Sequence, residues 1–166
     1  MKNIVLIGMP GCGKTTVGQI IATKTGRLFI DCDIVLAETA GMSIPEIFEQ
    51  EKEEGFRLRE TQVLKDVCKN TTDTNNSAMD TAFVIATGGG CVTRQENYQI
   101  LKSFGIVIFI ERDTSLLEKQ GRPLSIASNM EEMYKTRLPL YKQFADIVFK
   151  NDVSAELTAE NIIKAI

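Results

Sequence analysis

The sequence predicts an α/β fold, a three-layer, doubly wound arrangement in which helices flank a five-stranded parallel sheet. Short runs that are almost continuously apolar, as in strands buried on both faces, alternate along the chain with segments of helical periodicity. The predicted strands are Asn3 to Ile7, Leu28 to Ile30, Ala82 to Ala86, Ile106 to Ile110, and Ile147 to Phe149. The connections between them are expected to be right-handed. The length of 166 residues fits a single domain over residues 1–166.

Helical patterns with recognisable ends lie between these strands. The predicted helices are Lys14 to Thr25, Ile34 to Ala40, one that starts after Ser43, and about Glu53 to Lys69. Gly26 and Gly41 follow the first two, and glycine commonly ends a helix. Ser43 and Glu46 have the spacing of a capping box, which predicts the start of the third helix.

Two stretches are predicted to be irregular. Residues 70–77 are polar and rich in turn formers, which indicates an exposed loop. A second irregular stretch covers about 121–129, with Arg122 and Arg137 around it. We predict a mobile lid over about residues 112–129.

Composition restricts the function more than it identifies it. The 166 residues are 43% apolar and 25% charged, which is ordinary for a globular protein and excludes a disordered one. A net charge of −3 disfavours a general electrostatic grip on nucleic acid and favours a small anionic ligand. No apolar run approaches the ~20 residues of a membrane helix, and no signal segment precedes the first strand. We therefore expect a cytoplasmic protein that binds neither nucleic acid nor membrane. We also predict a monomer.

The chain contains no histidine, so carboxylates are left to carry out any proton transfer. Its cysteines, Cys12, Cys32, Cys68 and Cys91, show no C-x-x-C spacing, which disfavours a zinc site and a disulfide framework. Three of them fall at predicted strand ends, where they are either small packing residues or redox-active thiols.

The segment Gly8-Met9-Pro10-Gly11-Cys12-Gly13-Lys14-Thr15 follows the first strand and opens a helix. It has the pattern of a phosphate-binding loop, in which backbone N–H groups and the helix N-terminus surround a phosphate. The predicted nucleotide-binding residues are Gly11, Cys12, Gly13, Lys14, Thr15 and Thr16. Lys14 would reach the β- and γ-phosphates, and the Thr15 hydroxyl would bind Mg²⁺. The alternative is a glycine-rich turn that caps a helix, but the preceding strand favours nucleoside triphosphate binding.

Unusual residues also follow two other strands. Asp31 and Asp33 are two apart, so in an extended segment both face one cleft while Cys32 faces away. One carboxylate near Mg²⁺ and one on a substrate hydroxyl is one interpretation; the other is that Asp33 caps the helix from Ile34. The glycines at 88–90 offer N–H groups to an anion or form a tight turn.

Three arginines could be ordinary surface charges or part of a binding site. Arg57 and Glu60 are three apart on a predicted helix, the spacing of an ordinary surface pair. Arg122 and Arg137 are either solvated charges or ligands for an anion.

Taken together, these motifs closely resemble the shikimate kinase family, from Lys2 to about Asp146. The motifs are Gly8 to Thr15, Phe29-x-Asp31-x-Asp33, Phe56-Arg57-x-x-Glu60, Gly88-Gly89-Gly90, Gly121-Arg122-Pro123-Leu124 and Arg137-x-x-x-Tyr141. The resemblance implies a P-loop fold like that of nucleoside monophosphate kinases. It also implies transfer of the ATP γ-phosphate to the 3-hydroxyl of shikimate, with Mg²⁺ as cofactor, in aromatic amino acid biosynthesis.

The same resemblance implies roles for individual residues. Those expected to bind shikimate are Asp33, Arg57, Gly88, Gly89, Gly90 and Arg137, beside a helical substrate region at about 34–69. The catalytic group would be Lys14, Asp31 and Arg122, with Arg122 reaching the nucleotide from the lid. Thr15 would hold Mg²⁺ directly, and Asp31 would hold it through water.

The sequence departs from the family pattern in the lid. Only Lys119 stands where the family commonly has a further arginine before Arg122, and Ser125 follows Leu124 where a leucine is usual. The adenine-contacting loop is expected near 151–154. Two other functions remain as hypotheses: another small-molecule P-loop kinase, acting on gluconate or a nucleoside monophosphate, or a non-catalytic nucleotide-dependent switch.

Overall fold

Five parallel strands form the centre of the protein. They are β1 (Asn3–Ile7), β2 (Leu28–Asp31), β3 (Phe83–Ala86), β4 (Gly105–Glu111) and β5 (Ile147–Lys150), in the spatial order β2-β3-β1-β4-β5. The computed structural model describes residues 1–72, 82–117 and 124–166. The predicted α/β class and all five predicted strands are confirmed, because each strand end lies within one residue of its predicted position.

Helices cover the sheet on both faces. They are α1 (Lys14–Thr25), α2 (Cys32–Ala40), α3 (Ile44–Thr72), α4 (Glu96–Phe104), α5 (Leu124–Phe144) and α6 (Ala155–Ala165). The connection from β1 to β2 runs toward one edge of the sheet, and all later connections run toward the other. Right-handed crossovers therefore put α1 on one face, where α6 packs against it, and α2 to α5 on the opposite face. The residues of β1 from Ile4 to Ile7 are fully buried between the two layers.

The start of α2 differs from the prediction. Asp31, in extended conformation, is the N-cap, because its Oδ1 accepts a hydrogen bond of 3.0 Å from the Asp33 backbone N–H. The helix consequently begins at Cys32, and the alternative that Asp33 caps a helix starting at Ile34 is wrong. The Asp31 carboxylate stands before the first turn of α2 and bonds a free N–H group there, so the helix starts directly after it.

The capping box at the start of α3 is confirmed. The Ser43 backbone N–H and hydroxyl donate to Glu46 Oε2 at 2.7 and 2.6 Å. The two helices predicted at 43 and 53 are joined in α3 across a kink at Lys52, which has φ 61° and ψ −173°. A residue other than glycine rarely adopts these angles, so the kink stores backbone strain.

The segments predicted to be irregular are shorter than expected where the structure describes them. Residues 124–129 belong to α5, since no glycine or proline interrupts the chain from Leu124 to Leu138. Residues 70–72 likewise belong to α3. The rest of the predicted 70–77 loop and the lid residues 118–123, which include Arg122, lie outside the described residues. No helix in the described ranges is long and apolar enough to cross a membrane.

Candidate active site

A cleft of about 570 Å³ lies at the carboxyl ends of the strands. The connections after β1 and β3 leave toward opposite faces there, which is the usual location of a ligand site in an open α/β sheet. Predicted site residues that line this cleft are Gly11, Gly13, Lys14, Thr15, Thr16, Asp31, Asp33 and Gly89. The structure thus brings the phosphate loop, the aspartate pair and the glycine turn to one cavity.

The loop between β1 and α1 is held in place by Asn151, which directly follows β5. Gly13 has φ 96°, and a Cβ there would lie 2.4 Å from Asn151 Nδ2. That amide donates to the Cys12 carbonyl at 2.9 Å, and Thr158 Oγ1 donates to Asn151 Oδ1 at 3.0 Å. Asn151, expected near adenine, is therefore a buried support of the loop that also lines the cleft. Cys12 itself is buried and does not line the cavity.

Lys14 and Thr15 open α1 at the floor of the cleft. The Lys14 ammonium donates to the carbonyls of Gly8 and Met9 at 2.9 Å each, and its side chain is only 8% exposed. The Thr15 hydroxyl donates to Asp31 Oδ2 at 2.7 Å. A cation and two neighbouring oxygen groups are thus fixed beside the helix N-terminus, which suits an anion with a bound divalent metal.

The predicted substrate residues surround the turn after β3. Together with Glu60, the partner of Arg57, they form a group that we call the acceptor cradle: Asp33, Arg57, Glu60, Gly88 to Gly90, and Arg137. Arg57 Nη1 bonds Glu60 Oε2 at 2.8 Å, and the two residues are 9% and 2% exposed. The alternative that they form a surface pair is therefore wrong. Arg57 Nε and Glu60 Oε1 have no hydrogen-bond partner within the described ranges.

The glycine turn allows charged side chains to lie directly on the backbone. A Cβ at Gly90 would lie 2.1 Å from the Arg57 guanidinium carbon. One at Gly88 would lie 2.3 Å from Glu60 Oε1 and 2.7 Å from Asp33 Oδ1. Two carboxylates and an arginine therefore converge on a turn where no side chain fits.

Arg137 joins the acceptor cradle from α5. Its Nη1 donates to the Gly89 carbonyl at 3.2 Å, and the Tyr141 hydroxyl donates to the same oxygen. Arg137 is 9% exposed, so the alternative of a solvated charge is wrong. Arg57 and Arg137 do not line the 570 Å³ cleft themselves, but both contact the turn that does.

Burial dominates the electrostatics of the acceptor carboxylates. Desolvation raises the pKa of Asp33, although Lys14 and Arg57 oppose the shift. Desolvation likewise raises the pKa of Glu60 more than its ion pair with Arg57 lowers it. Buried carboxylates with raised pKa values in a cleft are typical of functional sites.

The cysteines are packing residues in this fold. All four are free, and Cys12, Cys32 and Cys91 are buried. Burial raises the pKa of the Cys91 thiol to about 12 and also raises that of Cys32. A thiolate is the reactive form, so these two thiols do not fit the redox alternative.

Arg112 is the one cation that lines the cleft, among the described residues, without having been a predicted site residue. Arg112 follows β4 directly and faces the same cavity as the phosphate loop. The rule that ligands collect at strand ends was applied to β1, β2 and β3; applied to β4, it would have identified this arginine.

The family model and the curated relatives indicate one family. The family model for shikimate kinase matches residues 10–166. A shikimate kinase from Actinobacillus pleuropneumoniae is 38% identical over 178 aligned positions, which cover 99% of this chain and 95% of that protein.

Two solved structures have the same architecture. The shikimate kinase from Acinetobacter baumannii in complex with shikimate superimposes with a TM-score of 0.86 at 33% identity, covering 99% of this chain and 92% of that one. The shikimate kinase from Bacteroides thetaiotaomicron gives a TM-score of 0.83 at 26% identity, with coverage of 99% and 97%.

Proposed function

This chain belongs to the shikimate kinase family, and from that premise we infer that it transfers the γ-phosphate of ATP to the 3-hydroxyl of shikimate. It is an ATP-dependent kinase, and its products are shikimate 3-phosphate and ADP. The observation that carries the inference is the meeting of a phosphate loop and a buried, charged acceptor cradle at one cleft. One chain supplies both, so we also propose that the enzyme works as a monomer.

The nucleotide half of the cleft holds the triphosphate. Backbone N–H groups of Gly11 to Thr16 and the N-terminus of α1 bind phosphate oxygens. Lys14 leaves its two backbone carbonyls and bonds the β- and γ-phosphates, where negative charge spreads during transfer. Arg122, in the part of the lid outside the described residues, is proposed to add a second positive charge to the transferring group.

The acceptor cradle holds shikimate by its carboxylate and ring hydroxyls. Arg57 and Arg137 bind the carboxylate, since guanidinium groups match its two oxygens. Asp33 and the turn at Gly88 to Gly90 receive the hydroxyl groups. Within the described ranges Arg57 Nε and Glu60 Oε1 have no partner, which supports this proposal, because buried polar atoms without partners are costly unless a ligand pairs with them.

Asp31 lies between the two halves of the cleft. In a chain without histidine, its carboxylate is the group we assign to orient the attacking hydroxyl and to accept its proton.

The Thr15 hydroxyl lies 2.7 Å from Asp31 Oδ2, and such hard oxygen donors fit Mg²⁺. Within the described ranges, no group of three or more acidic, cysteine or histidine residues could hold a metal ion by itself. Mg²⁺ would take its other ligands from phosphates and water. Bound there, through water in the case of Asp31, Mg²⁺ would neutralise phosphate charge.

The decisive measurement is ADP release by the purified protein with and without shikimate, with mass spectrometry of the product. We expect ADP release to depend on shikimate and to yield a singly phosphorylated shikimate. Faster turnover with gluconate or a nucleoside monophosphate would identify another small-molecule kinase. ATP binding without any shikimate binding would identify a nucleotide-dependent switch.

A further inference from the structure

Arg112 is a half-buried arginine to which the proposed reaction gives no role. It follows Glu111, the last residue of β4, and so lies at the same edge of the sheet as the phosphate loop. Its side chain lines the main cleft together with Gly11, Lys14 and Asn151. Although Arg112 is the first residue of the predicted lid, it directly follows β4, so the end of the strand presents a cation to the nucleotide half of the cleft.

The guanidinium of Arg112 has unused hydrogen-bonding capacity. Its Nε is shielded from solvent and has no partner within the described part of the chain. No described carboxylate pairs with its guanidinium either. A shielded donor without an acceptor costs free energy, and an anionic ligand in the cleft would remove that cost.

Three carboxylates that share a small adjoining cleft with Arg112 already accept hydrogen bonds from other groups. Glu111, Asp113 and Asp152 line a small adjoining cleft with it. Glu111 Oε1 accepts a hydrogen bond of 2.8 Å from the Tyr134 hydroxyl, and Asp152 Oδ1 accepts one of 3.0 Å from the Asp113 backbone N–H. Asp113 Oδ1 accepts two hydrogen bonds within its own turn. These three carboxylates therefore bond other donors and do not pair with the Arg112 guanidinium.

We propose that Arg112 binds the phosphate chain of ATP as a second cation beside Lys14. Its planar guanidinium presents several N–H groups and can bond two phosphate oxygens at once. The chain carries a net charge of −3, so a cleft that accepts a triphosphate depends on local cations of this kind. The proposal rests on the proposed function only in taking ATP as the nucleotide.

The test compares two ligands that share the triphosphate. The binding of ATP and of inorganic tripolyphosphate, which has neither base nor ribose, is measured by calorimetry for the wild type and for Arg112→Gln. We expect the dissociation constants of both ligands to rise by similar factors of about ten or more, because a charge-assisted hydrogen bond is lost. Weaker binding of ATP alone would assign Arg112 to the base or ribose and overturn the proposal. Unchanged binding of both ligands would overturn it too.

Two further variants separate charge from structure. Arg112→Lys keeps the charge and is expected to bind both ligands more tightly than Arg112→Gln; equal affinities in these variants would overturn the proposal. Arg27→Gln is the matched control, because Arg27 is also half-buried but precedes β2 at the opposite edge of the sheet. We expect it to bind both ligands as the wild type does. All titrations are run well below the melting midpoint of the least stable variant, so loss of folding does not imitate loss of binding.

These titrations contain no shikimate. A protein that fails to release ADP with shikimate would disprove the proposed acceptor and leave the test of Arg112 unchanged.

Discussion

The two halves of the cleft are built in different ways. The nucleotide half comes mainly from one continuous segment, Gly8 to Thr16, which supplies backbone N–H groups and Lys14, and Arg112 is the proposed second cation. The acceptor cradle uses side chains of α2, α3 and α5, from Asp33 to Arg137, which meet only at the turn after β3. The nucleotide half is therefore set by local conformation, whereas the acceptor half is set by tertiary packing. Substitutions in the nucleotide half should therefore chiefly lower turnover, whereas substitutions in the acceptor half should chiefly weaken shikimate binding.

The largest effect is expected from Lys14→Met, which tests the nucleotide half. Removing the ammonium should lower kcat by about 10³-fold or more, because positive charge on the transferring phosphoryl group is lost. Melting temperature and ADP release at saturating substrates are the measurements. Lys24→Met is the control, since Lys24 forms an exposed pair with Glu160, and it should keep full activity. Near-wild-type turnover in Lys14→Met would remove the phosphate-loop assignment.

Gly90→Ala tests the acceptor half without changing any charge. Gly90 has φ −103°, so alanine brings no backbone cost, but its Cβ would overlap the Arg57 guanidinium. Displacing that arginine should raise the KM for shikimate about tenfold to a hundredfold and leave the KM for ATP unchanged.

Gly26→Ala provides the matched control for Gly90→Ala. Its Cβ meets nothing within 4 Å, but its φ is +70°. It should lower the free energy of unfolding by about 1 kcal/mol and leave both KM values unchanged. Equal effects of the two variants on the shikimate KM would show that Gly90 acts only through stability.

Asp33→Asn should separate binding from stability within the acceptor half. Burial raises the pKa of Asp33, so the folded state holds its proton more tightly than the unfolded state does. The contribution of this group to stability is therefore greatest below its unfolded pKa and is lost as pH rises through the higher folded value. Replacement by asparagine should increase the free energy of unfolding in urea at pH 7 and weaken shikimate binding.

The pH profile gives a second measurement for Asp33→Asn. Wild-type affinity for shikimate should fall as pH drops through the raised pKa of Asp33, because a protonated carboxyl accepts fewer hydrogen bonds. The variant should lose that part of the pH dependence. A variant less stable than the wild type at pH 7 would contradict the assigned direction.

Lys52→Gly should have the smallest effect, and it tests whether α3 carries strain. Glycine adopts the observed φ of 61° without steric cost, so the variant should gain about 1 kcal/mol in the free energy of unfolding. Lys65→Gly is the control, because it lies in a regular part of α3 and should lose about 1 kcal/mol. Urea unfolding of both variants gives the comparison, and a loss in both would show that the kink is not strained.

The same division explains how far the sequence could predict the structure. β1, the phosphate loop and α1 follow from local signals, and the bounds of β1 and α1 match the prediction. The burial of the Arg57–Glu60 pair could not be predicted, because its spacing is the same on an exposed helix face. Its burial depends on Gly88 and Gly90, which lie about thirty positions later in the chain. The start of α2 was misjudged because two carboxylates compete for one cap, and only the fold shows that Asp31 occupies it.

Helix α5 connects the acceptor cradle to the segment that follows Arg122. Near its carboxyl end, Arg137 and Tyr141 bond the Gly89 carbonyl. Pro139 lies between them and removes one backbone hydrogen bond, so the helix bends more easily at this pivot than elsewhere. The amino end at Leu124 lies about 20 Å away along the helix axis. A tilt of about 10° at the pivot would move that end by about 3 Å. Helix α5 therefore acts as a lever: a small change of angle at the glycine turn becomes a larger displacement at its amino end.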